Sequence, residues 1–360
     1  MTFLLKHLMR TSLVLFALFS IQAHAQSITF SETTDFPKAA AGSYGILINA
    51  VSSGQLIVWN GNTIYRQTLP GGNTFVPIAS GYAGDPGFLA VAPDGHTLVL
   101  GAGYSGKVYV VDSDAPLSYT PGSEVATIPH YSGTYLTQTK VLLDCGVYPY
   151  AELGILDLTT GIYRAVMYKP STADIDASPG SFAASAHVAV DPTHSTVYTS
   201  GLVYDAGFSV VRNELKRISA SSLLAAYASS SMLNWNTDAT LIGNNGDFED
   251  GGPSAVTANG DILIGGFGGV QRVNPVSGMV TATYQPRGFD YYGVGYNIHR
   301  DTIYPIVADL DWSMDVVYAR QNELSELPVT SAAGQVVLTV ALALLLAGAV
   351  RKRNARLISE

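Results

Sequence analysis

The chain has 360 residues, of which 47% are hydrophobic and only 13% are charged, with 36 glycines and 21 tyrosines. Low charge combined with many β-forming residues and turn glycines excludes a disordered chain and predicts an all-β fold. The net charge is −9, and because Lys6 and Arg10 contribute +2 and the tail after residue 330 contributes +3, the part between carries −14. A domain with this much negative charge would repel the phosphate backbone of nucleic acid and has no electrostatic reason to bind it. The single cysteine, Cys145, excludes an internal disulfide and argues against a cysteine metal site.

Residues 1–25 have the pattern of a secretory signal peptide. Lys6 and Arg10 form a basic start, residues 11–21 are mostly apolar, and Ala23-His24-Ala25 matches an A-x-A cleavage site. No cysteine follows the apolar core, so lipoprotein processing is excluded. We therefore predict an exported protein, with a retained membrane anchor as the alternative.

A repeated unit organises the chain from residue 26 onward. Residues 86–114 hold two short apolar runs around the Asp94-Gly95 turn, then a glycine-rich break, then a third run. Variants of the third run recur 45 to 62 residues apart, at residues 55–60, 107–112, 153–158, 215–219, 270–274 and 314–320. Repeats of about 40–50 residues are typical of β-propeller blades. The sequence predicts a six-bladed β-propeller over residues 26–322, with seven blades as the alternative.

The turns between first and second strands, and the fourth strands, recur at matching positions in the repeats. A first strand is split from a second at Ser53-Gly54, Asp94-Gly95, residues 192–194, Asn259-Gly260 and Arg300-Asp301, and the third copy, near Cys145-Gly146, matches least well. Candidate fourth strands lie at residues 63–67, 124–128, 162–167, 239–242 and 280–284, and none follows Arg320. Because an open sheet edge is a liability, we predict that residues 27–30 supply the missing strand. One short helix is predicted at residues 222–228.

Two adjacent stretches carry a family resemblance. The sequence AVAPDGHTLVL at residues 90–100 and KVYVVDSD at residues 107–114 resemble the YVTN and NHL-type propeller repeats. The resemblance implies an extracellular or scaffolding interaction surface, and some six-bladed relatives are calcium-dependent lactonases. Propellers host many activities, so the resemblance indicates the fold more than the function.

The C-terminal forty residues contain a second recognisable pattern. Leu327, Pro328, Val329, Thr330 and Ser331 precede an uncharged apolar run at residues 336–350, and Arg351, Lys352, Arg353 and Arg356 follow it. Counted from Ser331, the apolar stretch has 20 residues, about 30 Å as a helix, which is enough to cross a bilayer. We predict a linker and motif at residues 323–330, a transmembrane helix at residues 331–350 and a basic cytoplasmic tail at residues 351–360.

This layout resembles the tripartite sorting signals read by sortases and exosortases. The motif is similar to LPxTG with Ser331 in place of glycine, and Leu327-Pro328 occupies the I-P position of the IPTL-type and PEP-type C-terminal signals. The resemblance implies a processing enzyme as a partner and attachment in the cell envelope or at the cell surface. A plain anchor helix in the membrane is the alternative.

One mouth of the central channel is the predicted ligand site. In a propeller, the residues just before the innermost strands converge there, and reading back from the turns gives Tyr44, Asp85, His187, Asp250 and Asp290. Three carboxylates and a histidine could bind Ca²⁺ or a polar ligand, although Asp85-Pro86 and Asp250-Gly251 are also ordinary turn sequences. No cofactor is required by the sequence, and Ca²⁺ is the candidate ion.

Other candidate residues lie in loops. Asp247, Glu249 and Asp250 could ligate calcium, but their spacing lacks the final glutamate of an EF-hand, which favours a solvated acidic loop. No G-x-S-x-G, H-E-x-x-H or P-loop motif is present, so no catalytic residue is identified. Tyr291 and Tyr292 are candidates for contacting a partner, because tyrosine supplies rigid amphipathic area; β-propensity alone is the alternative.

These observations predict a binding function. We expect an exported, envelope-anchored or surface-displayed propeller that binds an unknown protein or glycan. The alternative is a hydrolase or lactonase-like enzyme with a metal or polar site in the channel.

Overall fold

The structure is a computed structural model, and it describes fifteen stretches of the chain. These are residues 26–28, 31–32, 46–60, 62–72, 74–82, 86–114, 123–147, 150–169, 182–183, 187–205, 210–244, 252–266, 269–284, 291–308 and 314–320. The predicted signal peptide, sorting motif, transmembrane helix and basic tail lie outside the described residues. Within the described part, no helix combines the length and apolarity needed to cross a membrane.

The prediction of an all-β propeller is confirmed: the strands form six sheets of four or five strands. Sheet 1 contains β3 (Ile46–Ala50), β4 (Leu56–Asn60), β5 (Thr63–Gln67) and β6 (Phe75–Ser80). Sheet 2 contains β7 (Phe88–Val91), β8 (Thr97–Ala102), β9 (Lys107–Asp112) and β10 (Ser123–Thr127). Sheet 3 contains β11 (Ser132–Thr137), β12 (Lys140–Val147), β13 (Tyr150–Asp157) and β14 (Tyr163–Lys169).

The remaining sheets include two departures from this regular order. In sheet 4, β15 (Phe182–Ala183) and β16 (Val188–Val190) both pair with β17 (Thr196–Tyr204), followed by β18 (Val210–Ser219) and β19 (Thr240–Asn244). Sheet 5 contains β20 (Gly252–Val256), β21 (Ile262–Gly266), β22 (Gly269–Val273) and β23 (Val280–Tyr284), with β1 (Gln26–Ile28) added outside β23. Sheet 6 contains β24 (Tyr291–Asn297), β25 (Thr302–Ala308) and β26 (Met314–Arg320), with β2 (Ser31–Glu32) beside β26.

The first strands of successive sheets contact one another in a closed order. β3 contacts β7, β7 contacts β11, and the series continues through β16, β20 and β24 back to β3. The first strands therefore surround the middle of the fold, and the apolar side chains of adjacent sheets form the core clusters between them. Trp59 and Leu98, both fully buried, belong to one such cluster between sheets 1 and 2.

Five of the predicted turns between first and second strands are confirmed. Each contains one residue in the left-handed region: Gly54 at φ 77°, Gly95 at 81°, His194 at 55°, Gly260 at 89° and Asp301 at 49°. Glycine adopts this region without a steric penalty, which is why the turns are visible in the sequence.

The turn predicted near Cys145-Gly146 is wrong. Cys145 and Gly146 lie within β12, which pairs with β13 from Lys140 to Val147. The first and second strands of sheet 3 instead connect at Gln138 and Thr139, where Thr137 Oγ1 accepts a hydrogen bond from Lys140 N at 3.1 Å. A threonine side chain closes this turn, so the expected glycine is absent.

The strand order of sheet 1 also differs from the prediction. The sequence predicts a third strand at residues 55–60 and a fourth at residues 63–67, but β4 is the second strand, β5 is the third and β6 is the fourth. The connection between β4 and β5 is only two residues long and lacks the glycine-rich break of sheet 2, so the two strands resemble a third and fourth strand. The third-strand predictions for the other five sheets are confirmed.

The missing strand comes from the N-terminal segment, as predicted, but in a different register. Residues 31–32, not 27–30, pair with β26 in an antiparallel arrangement, with Ser31 opposite Tyr318 and Glu32 opposite Val317. Gln26–Ile28 instead pairs in parallel with β23. One short segment thus contributes strands to both sheet 5 and sheet 6.

The predicted helix is present and slightly longer than expected. Helix α1 (Ala220–Ser229) begins where Ser219 Oγ accepts a hydrogen bond from Ser222 N, and it ends at Ser230, which has φ 53°. Leu223 and Tyr227 are buried beside Trp235 between sheets 3 and 4. The helix therefore seals the outer part of this junction.

Candidate functional site

The first strands enclose a cavity of about 720 Å³ that is lined by all six sheets. Most of its lining consists of backbone and apolar side chains of the first strands, among them Ile48, Leu89, Val188 and Val294. Turn residues lie at one end, and residues that precede the first strands, including Pro86 and His187, lie at the other. A mostly apolar cavity with a few polar groups is the usual form of a small-molecule site.

Two carboxylates at the turn end of the cavity are occupied by local hydrogen bonds. Asp94 accepts hydrogen bonds from Thr97 N at 2.8 Å, Thr97 Oγ1 at 2.6 Å and Gln138 Nε2 at 2.5 Å. Burial alone would raise the pKa of Asp94, but these bonds dominate and lower it to about 2. Asp191 is similarly bound by Ser195 N at 2.7 Å and Thr196 N at 2.6 Å. Both aspartates are therefore ionised turn residues, unsuited to proton transfer near neutral pH.

His187 occupies the opposite end of the cavity, directly before β16. Its backbone is held from both sides, because His187 N donates to Asp144 Oδ2 at 3.1 Å and Thr199 Oγ1 donates to His187 O at 3.1 Å. A Cβ at Gly252 would collide with Cβ and Cγ of His187. The absence of a side chain at position 252 thus makes room for the imidazole.

A fully buried ion pair supports the backbone of His187. Lys169 Nζ donates to Asp144 Oδ2, to Thr199 Oγ1 at 2.8 Å and to Ser200 O at 3.0 Å, and the side chains of Lys169 and Asp144 are both 0% exposed. Burial raises the pKa of Asp144 to about 6 and lowers the pKa of Lys169, while the mutual attraction opposes both shifts. Among the described residues, Asp144 Oδ1 has no hydrogen-bond partner. Asp144 in β12 and Lys169 in β14 therefore hold the backbone of His187, the first residue of the cavity wall in sheet 4.

His187 should make stability depend on pH. Burial, followed by the charge of Lys169, lowers the pKa of His187 from 6.5 to about 4, so the native state resists protonation. Between pH 6.5 and pH 4 the unfolded chain takes up a proton that the native protein excludes, and stability falls as the pH falls. Between pH 6.5 and pH 4, we expect the free energy of unfolding of the His187→Gln variant to fall by up to about 3 kcal/mol less than that of the parent.

Urea denaturation of the parent and His187→Gln at several pH values measures this effect. The difference between the two proteins isolates His187 from Asp144, whose raised pKa acts in the opposite direction, and from His130, whose pKa is also lowered by burial. A difference that stays constant from pH 7 to pH 4 would show that His187 is not held neutral.

The structure locates one of the five predicted residues of the channel mouth. His187 lines the cavity, whereas Tyr44, Asp85, Asp250 and Asp290 lie outside the described residues, as do Asp247 and Glu249. Tyr291 and Tyr292 begin β24, the first strand of sheet 6, opposite Ala308 and Val307. Leu327, Pro328, Val329, Thr330 and Ser331 are not described.

Sequence reasoning missed the two residues that position His187. Asp144 lies in the apolar run VLLDCGV, and Lys169 ends the strand YRAVMYK. A charged residue inside an apolar strand is seldom left unpaired when buried, so two opposite charges in one predicted blade were an available signal.

A cluster with metal-ligand chemistry lies at one end of sheet 2, where the connection between β7 and β8 meets the end of β9. Among the described residues, ligand atoms of His96, Asp112 and Asp114 lie within 4.8 Å of one another. All three residues are exposed, and the guanidinium of Arg66 forms an ion pair with Asp114. Arg66 thus already neutralises one of the carboxylates that an ion would need.

Comparisons with known proteins agree with the fold. No protein-family model matches the chain, and no curated protein matches it. A luciferin-regenerating enzyme has 11% sequence identity and a TM-score of 0.52, covering 81% of this chain and 94% of that one. Hydrazine synthase from Kuenenia stuttgartiensis has 13% identity and a TM-score of 0.49, covering 78% and 81%. The β-propeller domain of Cps50 (Swd1) from Myceliophteria thermophila has 9% identity and a TM-score of 0.47, covering 79% and 99%.

The similarity to luciferin-regenerating enzyme and the sheet topology define the chain as a β-propeller protein. At such identities they establish the fold alone, because one fold carries many functions.

Proposed function

We propose that the chain is an exported, envelope-anchored propeller of six blades that binds a protein segment or a glycan in its central cavity. The blade count is supported by six sheets whose first strands contact in a closed order. Export and anchoring are supported by the sequence of residues 1–25 and 327–360 and by the acidity of the part between them.

One observation carries the choice of binding over catalysis. The cavity is large enough for a ligand, yet its described carboxylates, Asp94 and Asp191, are committed to turn hydrogen bonds. Catalysis by proton transfer requires groups whose pKa values are poised near the working pH and which can reach the substrate. The imidazole of His187, held neutral, suits a hydrogen bond to a ligand.

A glycine pair tests the binding proposal. Gly252→Ala would force the imidazole of His187 from its place, whereas a Cβ at Gly293, on the same cavity wall, would meet nothing closer than Ile306 Cβ at 3.6 Å. On a glycan array and a peptide array, the parent should bind at least one ligand. Gly252→Ala should weaken that binding about tenfold or more, consistent with the loss of one buried hydrogen bond and local repacking.

Gly293→Ala is the matched control and should bind within about twofold of the parent, since its new methyl group makes only ordinary contacts. Melting temperatures of both variants separate loss of binding from unfolding. Equal binding by parent and Gly252→Ala would show that the ligand does not use the His187 end of the cavity.

A metal-dependent hydrolase is the second candidate. It is favoured by residues at the cavity mouth, where Pro86 and His187 both line the cavity. In the sequence Asp85 directly precedes Pro86. Asp250 lies two residues before Gly252, whose backbone lies against the side chain of His187. Metal analysis of the purified protein and a hydrolase panel test this possibility. One bound Ca²⁺ per chain with turnover abolished by Asp250→Asn would favour the enzyme over the binding module.

A further inference from the structure

The strand connections divide the propeller into two ends of different character. In each sheet the first and second strands run antiparallel, as do the third and fourth in sheets 1 to 5, so both connections lie at the same end of the sheet. Turns of neighbouring sheets meet there: Ser52 N donates to Gly95 O at 2.8 Å, and Asp94 N donates to Gln138 Oε1 at 3.0 Å. We call this end the turn face.

Exposed apolar side chains concentrate at the turn face. Nine large hydrophobic residues are exposed among those described, and five lie in connections between third and fourth strands: Leu69, Ile162, Met232, Val276 and Met279. Two more, Val76 and Leu241, are the second residues of the fourth strands that leave these connections. Only Tyr131 and Tyr168 lie toward the opposite end.

The exposure at these positions is unusually high for apolar side chains. Val276 is 83% exposed, Leu69 70% and Met279 62%. They belong to sheets 1 and 5, and with Ile162 in sheet 3 and Met232 in sheet 4 they are spread around the outside of the turn face. These side chains stand on the ends of separate loops at one face, so they do not line a single pocket, but several of them could enter a membrane surface together.

The chain leaves the fold at the same face. Only five residues connect β25 to β26, too few for a parallel crossover, so β26 runs antiparallel to β25 and its last residue, Arg320, lies at the turn face. Sixteen residues after Arg320 comes the uncharged apolar run at residues 336–350, followed by four basic residues. An anchor on this tail would keep the propeller near a bilayer, and the exposed apolar side chains then decide which face is turned toward it.

We propose that the turn face docks on the membrane surface, with Leu69, Val276 and Met279 inserting among the lipid headgroups. This inference rests on the proposed anchoring of the C-terminal tail. Docking would direct the opposite end of the cavity, where His187 lies, away from the membrane and toward incoming ligand. Because the domain between residues 26 and 330 carries −14, zwitterionic lipid is the surface it would accept.

The test uses the full chain in phosphatidylcholine vesicles that contain a lipid-attached quencher. An environment-sensitive dye is attached at Leu69→Cys on the turn face or, as the control, at Ser105→Cys, which lies in the connection between β8 and β9 at the other end. Cys145 is buried, and burial raises the pKa of its thiol to about 12, so it does not compete for the label. We expect quenching and a blue-shifted emission at position 69 and neither at position 105.

Paired substitutions identify the side chains responsible. Val276→Asp with Met279→Asp should lower the ratio of docked to undocked protein about tenfold or more, because two apolar groups are lost. Tyr131→Asp with Tyr168→Asp makes the same change at the opposite end and should leave quenching at position 69 unaltered.

The outcomes separate the inference from the proposed function. Protein that floats with the vesicles but shows equal quenching at positions 69 and 105 would overturn the docking and leave the anchoring intact. Protein that does not float and shows no quenching would overturn both. Energy transfer between dyes at position 69 of different molecules, without lipid quenching, would assign the face to a second copy of the chain and overturn membrane docking.

Discussion

Replacing Lys169 with methionine is expected to lower the free energy of unfolding by about 3–5 kcal/mol, since one partner of a buried ion pair is removed and the other is left behind. The side chains of Lys169 and Asp144 are fully buried, and among the described residues Asp144 Oδ1 already lacks a hydrogen-bond partner. Without Lys169, Asp144 must remain charged in an apolar environment or take up a proton. Chemical denaturation at pH 7 measures the loss.

A second lysine in the same sheet provides the matched control. Lys140 Nζ lies 2.9 Å from Asp157 Oδ2, and both side chains are partly exposed to solvent. Lys140→Met should therefore cost at most about 1 kcal/mol, because water stabilises the carboxylate that remains. Asp144→Asn combined with Lys169→Met removes both charges and should recover part of the loss caused by Lys169→Met alone. Equal effects of Lys140→Met and Lys169→Met would contradict the structural role given to the buried pair.

The buried pair also connects stability to the candidate site. Asp144 Oδ2 accepts the backbone N–H of His187, and Thr199, which donates to His187 O, accepts a hydrogen bond from Lys169. A change at Lys169 would therefore loosen the first residue of the cavity wall in sheet 4 before it affected the remaining strands. A binding module needs such support, because residues that are already fixed in the free protein lose less conformational entropy on binding, which raises ligand affinity.

The parts of the fold that the sequence predicted are those governed by local backbone geometry. Left-handed turns require glycine or a tolerant polar residue, so Gly54, Gly95 and Gly260 reveal the register of three sheets. Where another device closes the turn, as Thr137 does in sheet 3, the register is lost. Sheet 1 was misread for a related reason, since β4 and β5 are joined by a connection too short to contain the expected break.

The candidate site was predictable only in part, for a different physical reason. His187 could be found by counting back from a turn to the start of a first strand, because the first strands line the cavity and the residue before one of them lies at its end. Asp144 and Lys169 lie in the second and fourth strands of sheet 3, and they reach His187 only because sheets 3 and 4 pack against each other. Contacts between sheets are set by packing and have no fixed spacing in the sequence.

The N-terminal segment has the second large expected effect. A chain that begins at residue 33 should be less stable than one that begins at residue 26 by about 3–5 kcal/mol, on the basis of roughly 1 kcal/mol for each backbone hydrogen bond that is lost, at about one bond for each facing residue pair. Three pairs join Gln26–Ile28 to β23, and two join Ser31–Glu32 to β26. Their removal also exposes the edge of β26, which invites pairing with another molecule and aggregation.

An intermediate truncation separates the two contributions. A chain that begins at residue 29 loses only the parallel pairing with β23, which already lies beside β22, so β23 keeps one full set of partners. This variant should lose some stability but remain monodisperse, whereas the chain that begins at residue 33 should aggregate on heating. Melting temperature and light scattering of the three proteins measure both effects. If the chain that begins at residue 33 melts at the parent temperature and stays monomeric, the N-terminal strand does not close the propeller, and the edge of β26 must be protected in another way.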